Sequence, residues 1–119
     1  EMMIPPSEIA VPFRSEVLSK ANGLINGERQ KYYGPPAKNF QRVAEFWSTY
    51  LGQPIEAHDV TNMMALLKIA RAQQGFTEDT YVDAAGYIAL AGELHRDAAK
   101  RTAVSECTWS GPVGQAGDE

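Results

Sequence analysis

Residues 56–75 read EAHDVTNMMALLKIARAQQG, and this stretch decides the fold. Val60, Met63, Met64, Leu67, Ile69 and Ala70 recur at helical spacing without confining themselves to one stripe. The pattern predicts a helix over about 56–74 that is broadly apolar and buried against more than one neighbour. Gly75 closes it. The same run carries acids at its start, Glu56 and Asp59, and bases two to three turns later, Lys68 and Arg71.

Downstream, Thr77 or Asp79 caps a helix predicted over about 80–100, with Val82, Ala85, Ile88, Ala89, Ala91 and Leu94 inside. Gly86 and Gly92 each weaken it by up to ~1 kcal/mol. Ala84, Ala85 and Ala89 let another helix approach closely. Upstream, Phe40, Val43, Ala44, Trp47 and Leu51 share one face of a helix over about 37–51, which Gly52 and Pro54 end. Gly34-Pro35-Pro36 before it excludes regular helix, because proline restricts its predecessor and lacks a donor. A first helix over 13–26 follows from Phe13, Val17, Leu18, Ala21, Leu24 and Ile25, with Asn26-Gly27 as its stop. Strand signals are almost absent. The expected fold is an all-α bundle of four main helices. An irregular, proline-bearing arm (1–12) precedes the helical domain (13–104), and a Gly- and Ser-rich flexible tail (105–119) follows it.

The 119 residues carry 15 acidic and 11 basic side chains, a formal charge of -4. That length suits one domain with a core. The acidic balance argues against a protein built to hold a nucleic-acid backbone. A single cysteine, Cys107, excludes an intrachain disulfide and suits a reducing compartment. No apolar run approaches the ~20 residues of a bilayer span, and no signal-peptide pattern is evident. A cytoplasmic protein with no membrane partner is therefore expected (the host cytoplasm, if a phage encodes it).

Two pairs of acids are spaced for shared chemistry. Glu56 and Asp59 are three apart, and Asp79 and Asp83 are four apart, so each pair shares a helix face. If those helices pack side by side, up to four carboxylates converge, which suits a magnesium–phosphate site. The competing readings are helix-dipole complementation, for which Glu56 and Asp79 are well placed, and ion pairing inside the bundle. Asp59 and Asp83 lie in more apolar surroundings, where an acid is costly unless paired or metal-bound. Lys68 and Arg71 either complement the dipole or neutralise phosphate. His58 and His95 are the only histidines, and a structural zinc site is unsupported. With no Walker loop, dinucleotide fingerprint or nucleophile elbow, metal-activated water is favoured over covalent catalysis.

The segments LINGERQKYYGPPAKNFQRVAEFW (24–47), HDVTNMMALLKIAR (58–71) and YVDAAGYIALAGEL (81–94) resemble a group of small phage-associated proteins of unassigned function. That group shares an ING-x-R-Q-x-x-YG-x-P-x-x-NF segment and a D-V-x-x-MM-x-x-L-K-x-x-R helix. More distantly, the chain is similar to MazG-like, all-α nucleoside triphosphate pyrophosphohydrolases, which hold magnesium on an E-x-x-E helix and a later E-x-x-D helix. This resemblance implies Glu56, Asp59 and Asp83 as metal ligands, and Glu56, Asp59, Asp79 and Asp83 as the catalytic set. It also implies a homo-oligomer, a homodimer or a homotetramer, and the apolar third helix and the small-residue fourth point to self-association as well. The chain departs from the pattern: Asp59 replaces a glutamate, and Thr80 occupies the second glutamate position, so Asp79 would have to substitute.

On that reading GERQKYYGPPAKNF (27–40) forms the substrate side. Arg29 and Lys31 meet phosphates, Tyr33 (or Tyr32) and Phe40 stack on a base, and Asn39 reads its edge. Lys68 and Arg71 complete the phosphate contacts. The alternative leaves Tyr33, Phe40 and Trp47 as core and Arg29 paired with an acid. The leading expectation is a magnesium-dependent pyrophosphohydrolase acting on a nucleotide. The alternatives are a non-catalytic nucleotide-binding or sequestering phage protein, or a helical adaptor.

Overall fold

A computed structural model describes residues 11–27 and 34–108, with side chains described through residue 103. Every regular element among these residues is helical. α1 spans Phe13–Asn26, α2 Pro36–Leu51, α3 Ala57–Arg71 and α4 Glu78–Thr108, with one 3-10 turn at Ala72–Gln74. The expected four-helix, all-α bundle is the observed fold.

The boundaries follow from local chemistry. α2 starts on Pro36, whose fixed φ fits the first helical position and whose missing N–H costs nothing there. It ends at Gly52 in the left-handed region (φ 67°, ψ 28°), with the Gly52 N–H donating to Ser48 O at 2.9 Å. Ser48 Oγ then donates to Ala44 O at 2.7 Å and accepts from the Ile55 N–H at 2.8 Å, which pins the connector to α3. α3 begins after Glu56, whose backbone N–H donates to Asp59 Oδ2 at 2.9 Å in a capping-box arrangement. α4 runs on to Thr108, beyond the end near Lys100 that its apolar pattern predicts; Arg101 to Thr108 contains neither glycine nor proline to break it.

The α3–α4 pair is the spine. Lys68 meets Asp83, and His58 meets His95, so positions later in α3 face positions earlier in α4 and the pair is antiparallel. α1 packs on α4, and α2 packs on α3. The buried apolar set is Ala21, Ala44, Val60, Ala65, Val82, Ala91 and Leu94, joined by Thr61, whose hydroxyl donates to His58 O at 3.0 Å. Each helix contributes an alanine to this set, so the axes approach closely where they touch. Gly86 acts likewise: a Cβ there would lie 3.1 Å from Ile25 Cγ2 of α1.

Two surface contacts tie α1 to the segment that begins α4. Phe13 meets Phe76 edge-on (centroids 5.8 Å), and Phe76 stacks near Tyr81 at 6.1 Å. Lys20 pairs with Glu78, whose hydrogen bond and charge raise the lysine pKa. No helix among the described residues is long and apolar enough to cross a membrane.

Candidate functional site

A cleft of about 300 Å³ opens where α1, the start of α2 and the first half of α4 meet. Leu24 and Ile25 line it from α1, Pro36, Asn39 and Phe40 from α2, and Asp83, Gly86, Tyr87 and Leu90 from α4, with Gly34 at its edge. Phe40 and Tyr87 meet edge-to-face, with centroids 6.4 Å apart and planes at 77°. The volume falls at the lower end of small-molecule sites, and the composition is theirs too: apolar walls with a few polar groups.

Asp83 is the charged group of this wall. Its Oδ2 lies 3.1 Å from Lys68 Nζ, and the two side chains are 28% and 17% exposed. The four-residue step from Asp83 to Tyr87 and the three-residue step from Asp83 to Gly86 put all three on one face of α4. α3 supplies the cation from behind, so the acid reaches the cleft with its charge already compensated. The neighbouring oxygen remains an acceptor for a ligand, since an ionised carboxylate has several lone-pair sites and donates nothing.

The predicted site residues divide into groups. Asn39, Phe40 and Asp83 come together in the cleft, with Lys68 on Asp83. Asp79 lies one turn before Asp83 and is exposed; its charge contributes to raising Lys20. Arg71 is exposed near the end of α3. Arg29, Lys31 and Tyr33 (with Tyr32) lie outside the described residues.

Glu56 and Asp59 do not join the others, which corrects the expected convergence of four carboxylates. The cause is topological. A short connection turns α4 back along α3, so the starts of the two helices fall at opposite ends of the pair. Asp59 lies nine positions before Lys68, about 13 Å along the axis at 1.5 Å per residue. Asp59 is also engaged by the Glu56 N–H. Among the described residues no three His, Cys, Asp or Glu side chains are grouped to hold a metal ion. The magnesium set of Glu56, Asp59 and Asp83 therefore does not fit one chain as it is folded.

At that far end the sequence left one feature unread. The rings of His58 and His95 stack in parallel, with centroids 4.0 Å apart and planes at 3°. His58 Nδ1 is 4.0 Å from Glu56 Oε1, and its Nε2 is 3.7 Å from Asp59 Oδ1. The histidines are far apart in the chain, and only the register of α3 on α4 brings them together. The acids flank this stack as well as capping α3.

The sequence model of a family described as "Domain of unknown function (DUF6378)" matches residues 16–95. The chain is similar to the Gene 55 protein of Mycobacterium phage D29, 40% identical over 82 residues, 68% of this chain and 54% of the relative. It is also similar to the Gene 55 protein of Mycobacterium phage L5, 44% identical over 73 residues, 60% of this chain and 47% of the relative. The chain thus spans about half the length of the curated relatives it matches. No solved structure matches it.

Proposed function

The chain belongs to the DUF6378 family, a small phage-associated family of unknown function, and on that premise we propose that it is a non-catalytic binder of nucleosides or nucleotides. The observation that carries the reading is the meeting of Asn39, Phe40 and Asp83 in one cleft, from positions more than forty residues apart. Phe40 and Tyr87 offer aromatic surface to a base, the Asn39 amide offers both a donor and an acceptor, and Asp83 accepts only. A base that turns N–H groups toward Asp83 is favoured over one that turns acceptors there.

Binding rather than turnover is supported by what the acids do. Asp83 is paired with Lys68 and Asp59 caps α3, so each acid already has a structural partner, and the two stand at opposite ends of the α3–α4 pair. Self-association belongs to the same proposal, as does a chain that works without a membrane partner.

Thermal melting with a panel of bases, nucleosides and nucleotides, each with and without magnesium, tests this. A ligand at 100 times its Kd adds about 2.7 kcal/mol of stability, a shift of several degrees. We expect such a shift to be magnesium-independent, to vanish in Asp83→Asn, and to come without release of pyrophosphate. No shift with any member of the panel returns the protein to the helical-adaptor reading. Pyrophosphate release that requires magnesium returns it to the hydrolase reading.

A further inference from the structure

α3 is apolar around most of its circumference, yet the described residues of one chain cover only part of it. Val60, Thr61 and Ala65 are buried, while Met63, Leu66, Leu67 and Ile69 are exposed. At 100° per residue, Leu66 points roughly 160° away from Lys68, the residue that meets α4. Asn62, Leu66 and Ile69 follow the 4-3 spacing of a single stripe on α3, and Gln73, in the 3-10 turn after it, completes a 4-3-4 run in the sequence.

α4 has a matching stripe. Asp83, Gly86 and Leu90 line the cleft beside α1 and α2. Tyr81, Ala85, Ile88 and Gly92 keep the same 4-3-4 spacing on the other side; Tyr81, Ile88 and Gly92 are exposed and Ala85 is half-buried. Since α1 and α2 both flank that cleft, no other helix among the described residues packs on the opposite face of the α3–α4 pair, where Phe76 meets Tyr81 at one end.

We propose that a second copy of this chain covers that face, α3–α4 pair against α3–α4 pair, about a twofold axis. Three observations select a copy of the chain over another partner. The buried apolar set of one chain is largely alanine, so the missing cover is needed whenever the chain is folded, and an identical chain is always present in equal amount. The face is self-complementary: α3 presents the large Leu66 and Ile69, α4 presents the small Ala85 and Gly92, and a twofold axis that sets α3 of one protomer over α4 of its partner fits knobs to holes. Neither stripe contains Lys, Arg, Asp or Glu, so apposing two identical faces brings no like charges together.

This inference rests on the self-association proposed above and names its face; it is independent of the ligand reading, because the cleft lies on the opposite side of the spine. The test is light scattering on the full chain across a wide range of concentration, with four variants. The wild type is expected at twice the chain mass. Leu66→Glu and Ile88→Glu are each expected to raise the dimer dissociation constant by ~100-fold or more, since each buries an unpaired charge. Tyr50→Glu, at an α2 position 89% exposed in one chain, is expected to leave it unchanged. Leu66→Ala covers the case in which a glutamate variant fails to fold. Leu66 is 62% exposed in one chain, so its truncation spares the protomer and weakens only a dimer built on this face. A monomeric wild type overturns the proposal. So does a dimer that Leu66→Ala leaves intact, or one that dissociates with Tyr50→Glu and not with Ile88→Glu.

Discussion

The pairing of Lys68 with Asp83 makes a sharp prediction at the level of single residues. Removing one member of a fully buried pair costs about 3–5 kcal/mol, and partial exposure of both groups discounts that here to roughly 1–3 kcal/mol. Asp83→Asn should lower unfolding stability by that amount, equally with and without magnesium. Adding Lys68→Met should restore part of the loss, because no charge is then left without its partner. A denaturant melt of the two variants checks both statements. Asp59 makes a second prediction. Its carboxylate caps α3, so Asp59→Ala should cost about 1 kcal/mol in the same melt, again regardless of metal. Lys20 supplies the pH dependence. Glu78 raises its pKa in the folded chain above the ordinary 10.5, so the folded state binds this proton more tightly than the unfolded state. The stabilisation is fully present below about 10.5 and fades as pH rises through the elevated folded value. An alkaline titration of helicity should carry this step, and Glu78→Gln should remove it.

At the scale of the helices, Gly52 is the position where the backbone demands a particular residue. Its left-handed conformation costs any residue with a Cβ about 1–2 kcal/mol, so Gly52→Ala should destabilise by that much in a thermal melt. Open space surrounds a Cβ at this site, so the loss measures backbone conformation alone. Such punctuation is why so much of the architecture was legible. The Phe13–Asn26 helix follows from its apolar stripe and Asn-Gly stop, and α2 lies between Pro36 and Gly52. What failed to read through was register. An acid at the first turn and another three residues before it look alike whether they hold a metal or cap a helix, and only their position at the start of α3 separates the two. The antiparallel return of α4 was equally invisible to spacing, so acids that looked ready to converge fall at opposite ends. Asn39, Phe40 and Asp83 line one cleft, a meeting that local spacing does not give, since Phe40 fits the apolar stripe of α2 as well as it fits a binding site. The His58–His95 stack leaves no local trace in the sequence.

For the molecule as a whole, the two sides of the spine differ: one is walled by α1 and α2 around the cleft, and the other exposes Leu66, Ile69 and Ile88. If the copies pair as proposed, the melting temperature should rise with protein concentration, a dependence that a monomer lacks. The modest anchoring of α1 has a kinetic consequence. Its buried residue is Ala21, and its charged tether to α4 is the Lys20–Glu78 pair on the surface. α3 and α4, by contrast, are neighbours in sequence and share the longest interface, so they suit an early-forming unit to which α1 docks late. Segments held this lightly open by themselves, at a fraction of the free energy that unfolds the whole. Amide protons of residues 16–26 should therefore exchange with solvent well before those of residues 60–70 and 82–94. Because Leu24 and Ile25 form one wall of the cleft, each such opening lays bare Phe40, Asp83 and Tyr87. A ligand that bridges α1 to α4 would then announce itself by slowing exchange in α1 far more than in the spine.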